Sequence, residues 1–251
     1  MSDAPETTWK ILDWDSEFFG FRIARAFAAP SDAALARTVE ECARQQVRCL
    51  YFLAEADDIP TLRRLEHQGF GLIDLRLNMI QPSPGAGPAR EFPGIRSACA
   101  ADLPALQRIA RISHHNTRFY ADPTFPRDRC DALYDAWITK SCDINAGFAD
   151  AVFVAEGADG AAGGYITCTM IQPDRGQVGL LAVAPEMRGA GAGGRLIQQA
   201  LSWAHSRGAL SVVTVTQGGN SAAVRAYERG GFVAERMYLW YHRWFDFDAD
   251  R

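Results

Sequence analysis

The spacing of apolar residues along the chain predicts alternating helices and strands. In residues 33–46, Leu35, Val39 and Ala43 recur at helical spacing, whereas residues 72–80 alternate apolar and polar side chains as a half-buried strand does. Similar patterns predict helices over 60–68, 102–113, 128–141, 194–207 and 221–229. Short apolar or β-branched runs predict strands over 21–27, 47–54, 95–97, 151–156, 164–171, 177–183, 210–216 and 232–245. This interleaving predicts an α/β (α+β) fold.

The clearest interruption of these patterns is residues 81–94, which hold four prolines and three glycines in fourteen positions. Such a run cannot continue a helix or a central strand. It predicts a linker over 82–94, between a smaller unit over 1–81 and a larger unit over 95–251.

An internal repeat crosses this linker. Helix 33–46, strand 47–54, helix 60–68 and strand 72–80 correspond in order to helix 194–207, strand 210–216, helix 221–229 and strand 233–245. A Gly-Phe pair stands before the last strand of both copies. We therefore predict that the two copies are structurally related.

The copies differ where chemistry would be expected. The first copy has Ala28-Ala-Pro-Ser-Asp32 where the second has a glycine-rich loop, and Leu65 where the second has Tyr227. We predict that the first copy supports the fold or shapes a pocket.

Composition and charge narrow the classes of partner. The net charge of −4, without a Lys/Arg run, argues against a nucleic-acid partner. No apolar run approaches the roughly 20 residues of a membrane span, and the opening MSDAPETTWK lacks the features of a signal peptide. The six cysteines form no C-x-x-C pair, so we expect buried free thiols, no metal site and a cytoplasmic protein.

The loop at residues 184–194 carries the strongest functional signal. It joins a predicted strand to a predicted helix and contains four glycines beside Arg188. Free amide groups at a helix start bind phosphate, and glycine lets the ligand approach the backbone. The pattern Gly189-x-Gly191-x-x-Gly194 also fits dinucleotide binding, but five residues separate it from the strand and no acidic residue ends the next strand.

A different spacing fits better. Arg188-x-x-Gly191-x-Gly193, followed by Asn220-x6-Tyr227 and a Gly-Phe pair, resembles the Gcn5-related N-acetyltransferases over residues 95–245. The resemblance implies a GNAT-type mixed sheet flanked by helices and splayed between strands 177–183 and 210–216, with acetyl-CoA as co-substrate. The first eighty residues would then be a degenerate half-GNAT-like α/β unit.

The resemblance also implies a set of cofactor-binding residues. The pantetheine arm would pair with the backbone of strand 177–183, and the pyrophosphate would lie on the loop amides. The implied residues are Leu181, Ala182, Val183, Arg188, Gly189, Ala190, Gly191, Ala192, Gly193, Gly194 and Asn220. Tyr227 would protonate the leaving thiolate, and an amide near Leu181 would polarise the thioester carbonyl. Asn220 is expected to cap its helix, with or without a cofactor contact.

Two other stretches resemble the dTDP-fucosamine acetyltransferases within this family. They are Trp14-Asp-Ser-Glu-Phe-Phe-Gly-Phe21 and Asn116-Thr-Arg-Phe-Tyr-Ala-Asp-Pro-Thr-Phe125. This likeness implies acetylation of the 4-amino group of a dTDP-linked 4-amino-4,6-dideoxygalactose. His115, Arg118 and Tyr120, with Asp122, would lie in a loop that covers the acceptor.

Several points stay open from the residues alone. Strand 177–183 has no carboxylate, so the base would be a water chain, His114 or His115. The acceptor could also be a polyamine, an antibiotic or a protein N-terminus, and a CoA-binding protein without turnover is a further alternative. The aromatic segment 237–245 predicts either pairing across a homodimer or completion of the sheet.

Overall fold

A computed structural model describes residues 8–82 and 88–246 of the chain. The strands are β1 Trp9–Ile11, β2 Ile23–Ala26, β3 Cys49–Glu55, β4 Gly71–Pro82, β5 Ile95–Ser97, β6 Ala151–Glu156, β7 Ala162–Gln172, β8 Arg175–Val183, β9 Ser211–Gln217 and β10 Val233–Trp244. The helices are α1 Asp13–Phe19, α2 Asp32–Arg44, α3 Ile59–His67, α4 Leu103–Ser113, α5 Arg118–Ala121, α6 Arg127–Cys142, α7 Ala192–Ser206 and α8 Ser221–Arg229. The mixed sheet and its flanking helices confirm the predicted fold class.

The chain divides into two compact units made of non-contiguous segments. Unit 1 comprises Met1–Arg76, Ala121–Arg129 and Met237–Arg251, and unit 2 comprises Leu77–Tyr120 and Cys130–Arg236. The division at 81 and 95 drawn from the linker is a different one and stays a prediction. Residues 83–87 of that linker lie outside the described residues.

Unit 1 contains the strand order β1-β2-β3-β10. β2 pairs with β3 in parallel, and β10 pairs with β3 antiparallel, from Tyr238 opposite Glu55 to Trp244 opposite Cys49. Its core joins Leu35 and Val39 of α2 to Leu65 of α3 and to the strands. The aromatic segment 237–245 therefore completes a sheet within its own chain, which was one of its two predicted roles.

Unit 2 contains the strand order β9-β8-β7-β6-β5, antiparallel except for the pair β8–β9. The parallel pairing of β8 with β9 runs from Arg175 opposite Ser211 to Val178 opposite Thr214 and extends no further. Both strands continue beyond this point, β8 to Val183 and β9 to Gln217. The sheet is thus splayed between the two strands for which the family resemblance implies it.

The repeated elements also share their local hydrogen bonds. Asp58 caps α3 through the amide of Thr61 at 3.2 Å, and Asn220 caps α8 through the amide of Ala223 at the same distance. The amide of Phe70 donates to Leu65 and that of Phe232 donates to Tyr227, both at 3.0 Å. These matched caps and turns support the predicted kinship of the copies.

Three local expectations differ from the structure. The front end forms β1 and α1, which the sequence pattern did not predict because both elements are short. The loop that was predicted to hold His115, Arg118 and Tyr120 contains the one-turn helix α5. Cys99 is exposed and Cys142 half-buried, whereas all six cysteines were expected to be buried. No helix in the described residues is long and apolar enough to cross a bilayer.

Candidate functional site

The site is organised around the fork where β8 and β9 separate. Thr214 is the last residue of β9 that pairs with β8, and its hydroxyl donates to the carbonyl of Val178 at 3.2 Å. Beyond the fork, Leu181, Ala182 and Val183 continue along β8 without β9 as a neighbour. The fork therefore leaves one edge of β8 open to an extended ligand.

Tyr227 lies at the base of this fork. It is 3% exposed, packs against Phe232 at 5.3 Å between ring centroids, and belongs to the same apolar cluster as Cys168 and Val178. Burial raises the pKa of Tyr227 to about 12, although the hydroxyl of Thr214 acts to lower it. The phenol consequently keeps its proton throughout the physiological pH range.

β8 has an irregularity just before its open segment. Ile166 of β7 stands opposite Leu181 and Cys168 opposite Val178, so β8 contains one residue more than β7 over this interval. The amide of Leu180 donates to the side-chain hydroxyl of Thr167 at 2.8 Å instead of to a backbone carbonyl of the ladder. A Cβ at Gly179 would lie 2.7 Å from that hydroxyl, which explains the glycine.

The glycine loop leads into α7 with its first turn uncapped. Gly189 and Gly191 have φ of +80° and +77°, values that residues with a Cβ rarely adopt. Gly191 is the N-cap residue of α7, no side chain caps the helix there, and its first turn has no acidic residue. Ala192, Gly193 and Gly194 thus present helix-start amides to a ligand, as an anion site requires.

The two arginines beside the loop bind the loop itself. Arg188 donates from Nε to the carbonyl of Val183 at 3.0 Å, and Arg195 donates from Nη1 to the carbonyl of Ala190 at 3.0 Å. These bonds order the segment between β8 and α7 and keep positive charge at its surface. The cap that Asn220 forms on α8 matches one of its two expected roles.

In unit 1, the corresponding start of α2 has no amides free for a ligand to the same extent, because a side chain caps it. The side chain of Ser31 caps α2 by accepting from the amide of Ala34 at 3.2 Å. Arg64 donates to the carbonyl of Ala29 at 3.1 Å, so its guanidinium occupies the segment that corresponds to the glycine loop. With Leu65 in place of Tyr227, this copy offers neither the free amides nor the acid.

The two histidines at the end of α4 have different surroundings. Nε2 of His114 lies 2.9 Å from the hydroxyl of Tyr165. The imidazole also stacks on the ring of Tyr134, with 4.5 Å between the two ring centroids. Burial lowers the pKa of His114 to about 4, and the neighbouring His115 adds to this effect. His115 is exposed and contacts Tyr120. His114 is therefore a neutral imidazole, and Tyr165 stands opposite Ala182 of β8.

The loop residues predicted near the acceptor fall into both units. The guanidinium of Arg118 lies over the ring of Phe119 at 4.2 Å, and Tyr120 donates to Asp131 at 2.5 Å. Asp122 was expected beside them, but it is buried in unit 1. Its Oδ2 lies 2.7 Å from Nδ1 of His242 and accepts from the indole of Trp244 at 2.8 Å. Asp122 is thus a core carboxylate.

Asp122→Asn should lower the free energy of unfolding by about 2 to 4 kcal/mol, because it breaks a buried hydrogen-bonded pair. Burial acts to raise the pKa of Asp122, but hydrogen bonds from His242, Trp244 and the Thr124 amide outweigh it and lower the pKa. Its contribution is therefore present above the unfolded-state pKa of about 3.9 and lost as the pH falls through the lower folded-state value. Urea unfolding between pH 3 and 7 measures both effects. Asp57→Asn, at an exposed site of the same unit, should change little; equal losses in both variants would contradict this assignment.

Several residues of the site carry no signal that a single sequence reveals. Thr214 and Thr167 read as ordinary strand residues, and Tyr165 as a core tyrosine. Their roles depend on pairing between strands, which a single sequence does not specify. Among the residues described, no group of three or more His, Cys, Asp or Glu side chains is placed to hold a metal ion.

Comparison with known proteins gives one family and several relatives. The sequence model of the Acetyltransferase (GNAT) family matches residues 112–232. A dTDP-fucosamine acetyltransferase of Escherichia coli O6:H1 is 27% identical over 232 residues, which are 92% of this chain and 96% of the relative. The spore coat polysaccharide biosynthesis protein SpsD of Bacillus subtilis is 29% identical over 57% of this chain and 48% of its own length.

A solved structure supports the fold independently. The crystal structure of a GCN5-related N-acetyltransferase from Sphaerobacter thermophilus superposes with a TM-score of 0.68 at 14% identity. The superposition covers 94% of this chain and 76% of the chain in that crystal structure. At this identity the likeness supports the fold alone.

Proposed function

The chain is a GNAT-family, acetyl-CoA-dependent N-acetyltransferase, and we propose that its acceptor is the amino group of a nucleotide-linked amino sugar. The dTDP-linked 4-amino-4,6-dideoxygalactose is the acceptor that we put first. The support is the relative named dTDP-fucosamine acetyltransferase, which matches over nearly the full length of both chains. A second relative is named for polysaccharide biosynthesis, although the chain spans only about half of it.

One observation carries the proposed position of acetyl-CoA. The strand fork and the uncapped start of α7 lie at the two ends of one segment, Val178 to Gly191. In this proposal the pantetheine arm pairs with Leu181, Ala182 and Val183, and amides of residues 189–194 hold the pyrophosphate. In unit 1 the equivalent helix start is capped by Ser31, and Arg64 occupies the equivalent loop, so we expect one cofactor site per chain.

The proposed reaction is direct attack of the neutral amine on the thioester carbon. The new C–N bond forms, the C–S bond breaks, and the leaving thiolate takes the proton of the Tyr227 hydroxyl. The bound ammonium first becomes this neutral amine by giving one proton to His114, whose Nδ1 has no hydrogen bond among the residues described and which then releases the proton to solvent. The second proton, which the nitrogen loses as the amide forms, returns through solvent to the tyrosinate of Tyr227. Tyr227 is thereby the acid of the proposed reaction and His114 its base.

His114→Gln should lower kcat/KM at pH 7 by about 100-fold, because glutamine can still bond Tyr165 but cannot accept the proton. The deficit should shrink as the pH rises above the pKa of the substrate ammonium, where the amine arrives already neutral. A pH profile of kcat/KM for both proteins measures this. His115→Gln is the matched control and should behave as the wild type. A deficit that is the same at every pH would make His114 structural only.

The acceptor is tested by thiol release from acetyl-CoA. The panel should contain dTDP- and UDP-linked 4-amino sugars, a polyamine, an aminoglycoside and a short peptide with a free N-terminus. We expect the highest kcat/KM with a dTDP-linked 4-amino-4,6-dideoxy sugar, by at least about tenfold. Preference for the peptide or the polyamine would replace the proposed acceptor. If the protein binds CoA but releases no thiol from acetyl-CoA with any of the amines, a non-catalytic role is favoured.

A further inference from the structure

A second cavity lies in unit 2, at the opposite end of α7 from the glycine loop. Its volume is about 780 Å³, within the range of small-molecule sites. Trp203 and Arg207 line it from the end of α7, whereas the loop precedes Ala192 at the beginning of that helix. At about 1.5 Å per residue, the eleven residues from Ala192 to Trp203 separate the two places by about 16 Å.

The cavity has a defined wall on the side of the linker. Ser202 of α7 bonds the backbone of Arg90 twice, accepting from its amide at 2.6 Å and donating to its carbonyl at 3.2 Å. This holds Arg90 and its neighbour Glu91 at the rim. Leu103, Val152, Phe153 and Trp203 supply an apolar interior.

One buried polar group in the wall has no protein partner. The side chain of Gln199 lines the cavity and is only 9% exposed, and it makes no hydrogen bond within residues 8–82 and 88–246. The amide of Gln199 therefore faces the cavity with its hydrogen-bonding capacity unused by the protein. A ligand with a hydrogen-bonding group in the cavity would satisfy it.

The charges around the cavity favour a cation. The lining contains more acidic than basic side chains: the acidic ones are Glu91, Asp143 and Asp150, and the basic ones are Arg90 and Arg207. Asp143 accepts from the amide of Asn145 and Asp150 from the amide of Met170, each through one oxygen, which leaves their second oxygens for a ligand.

The helix ends at the cavity act in the same direction. α6 and α7 both end there, at Cys142 and Ser206, and helix C-termini carry partial negative charge. α4 also begins at the cavity, at Leu103, with the carboxylate of Asp102 at its N-cap position. The guanidinium of Arg207 lies 4.8 Å from the centre of the Trp203 ring and covers one face of it, so an apolar body would lie against the rest of the indole.

We propose that this cavity is a second ligand site, which binds an organic amine with an apolar body. The body lies on Trp203 and Phe153, and the ammonium group meets the carbonyl oxygen of Gln199 and the free carboxylate oxygens of Asp143 and Asp150. The site is separate from the acetyl-transfer site and does not depend on which amine is acetylated there.

Titration calorimetry with three probes of one shape tests the proposal. The probes are 3-phenylpropylamine, 3-phenylpropan-1-ol and 3-phenylpropionate, added to the full chain without acetyl-CoA. We expect the amine to bind at least about tenfold more tightly than the alcohol, and the carboxylate to bind most weakly. Tighter binding of the carboxylate, or no binding of the amine, would overturn the proposal.

Matched variants locate the binding. Gln199→Leu keeps the side-chain volume and should weaken amine binding by about tenfold, whereas Gln198→Leu, on the exposed side of the same helix, should not. Asp150→Asn keeps the bond to Met170, removes the charge and should reduce the preference for amine over alcohol. If the amine binds all three variants as it binds the wild type, it binds elsewhere and the proposal is wrong. This result would leave the proposed acetyl transfer untouched, because the assays share no readout.

Discussion

Gly191→Asp should abolish measurable binding of acetyl-CoA, with a loss of at least about 100-fold in affinity. Gly191 is the N-cap residue of α7, and no side chain now satisfies the amides that follow it. An aspartate at this position would place its own carboxylate at the anion site beside these amides. It would also place a negative charge against the pyrophosphate. Titration calorimetry with CoA measures the loss directly.

The variant should remain folded, which makes the result informative. Aspartate and asparagine tolerate the φ of +77° at this position better than other residues with a Cβ do. Gly191→Asn is the control of matched shape, because it adds the same bulk without the negative charge. We expect it to weaken binding by less than Gly191→Asp. Retained affinity in Gly191→Asp, in a folded protein, would mean that the cofactor lies elsewhere.

The loop could be predicted from sequence because its geometry is a property of the backbone. Glycine is the residue that adopts positive φ most readily, so Gly189 and Gly191 already indicate this backbone conformation. The lack of a capping side chain at the helix start can also be seen in the sequence of residues 189–194. The repeat could be predicted for a similar reason, since its caps and Gly-Phe turns are local. Local chemistry is what one sequence specifies best.

The parts that could not be predicted depend on distant partners. Asp122 looks like a polar loop residue until His242 and Trp244, 120 and 122 residues further on, take its carboxylate. Cys99 looks like any buried thiol, and its exposure depends on where β5 ends beside β6. The amide of Gln199 reads as an ordinary helix residue, because only the packed unit shows that it faces a cavity. Burial and pairing at long range are tertiary properties, and the hydrophobic pattern does not contain them.

Tyr227→Phe should lower kcat by about 100-fold or more while the affinity for CoA changes by less than about twofold. Phenylalanine keeps the ring packing on Phe232 and removes only the hydroxyl. Thr214 still donates to the carbonyl of Val178, so no buried donor is left unsatisfied and the fold should lose about 1 kcal/mol. Pre-steady-state thiol release separates the chemical step from binding.

The pH dependence gives this prediction a second readout. Because burial raises the pKa of Tyr227 to about 12, the acid stays protonated from pH 6 to 10, and no alkaline loss of kcat in this range should come from it. The solvent deuterium isotope effect on kcat should fall in Tyr227→Phe, since the proton in flight to the thiolate is gone. Tyr238→Phe removes a phenolic hydroxyl from unit 1 and should leave both quantities unchanged. An unchanged kcat in Tyr227→Phe would assign the protonation of the thiolate to solvent, and the buried hydroxyl would then only hold the fork at Thr214.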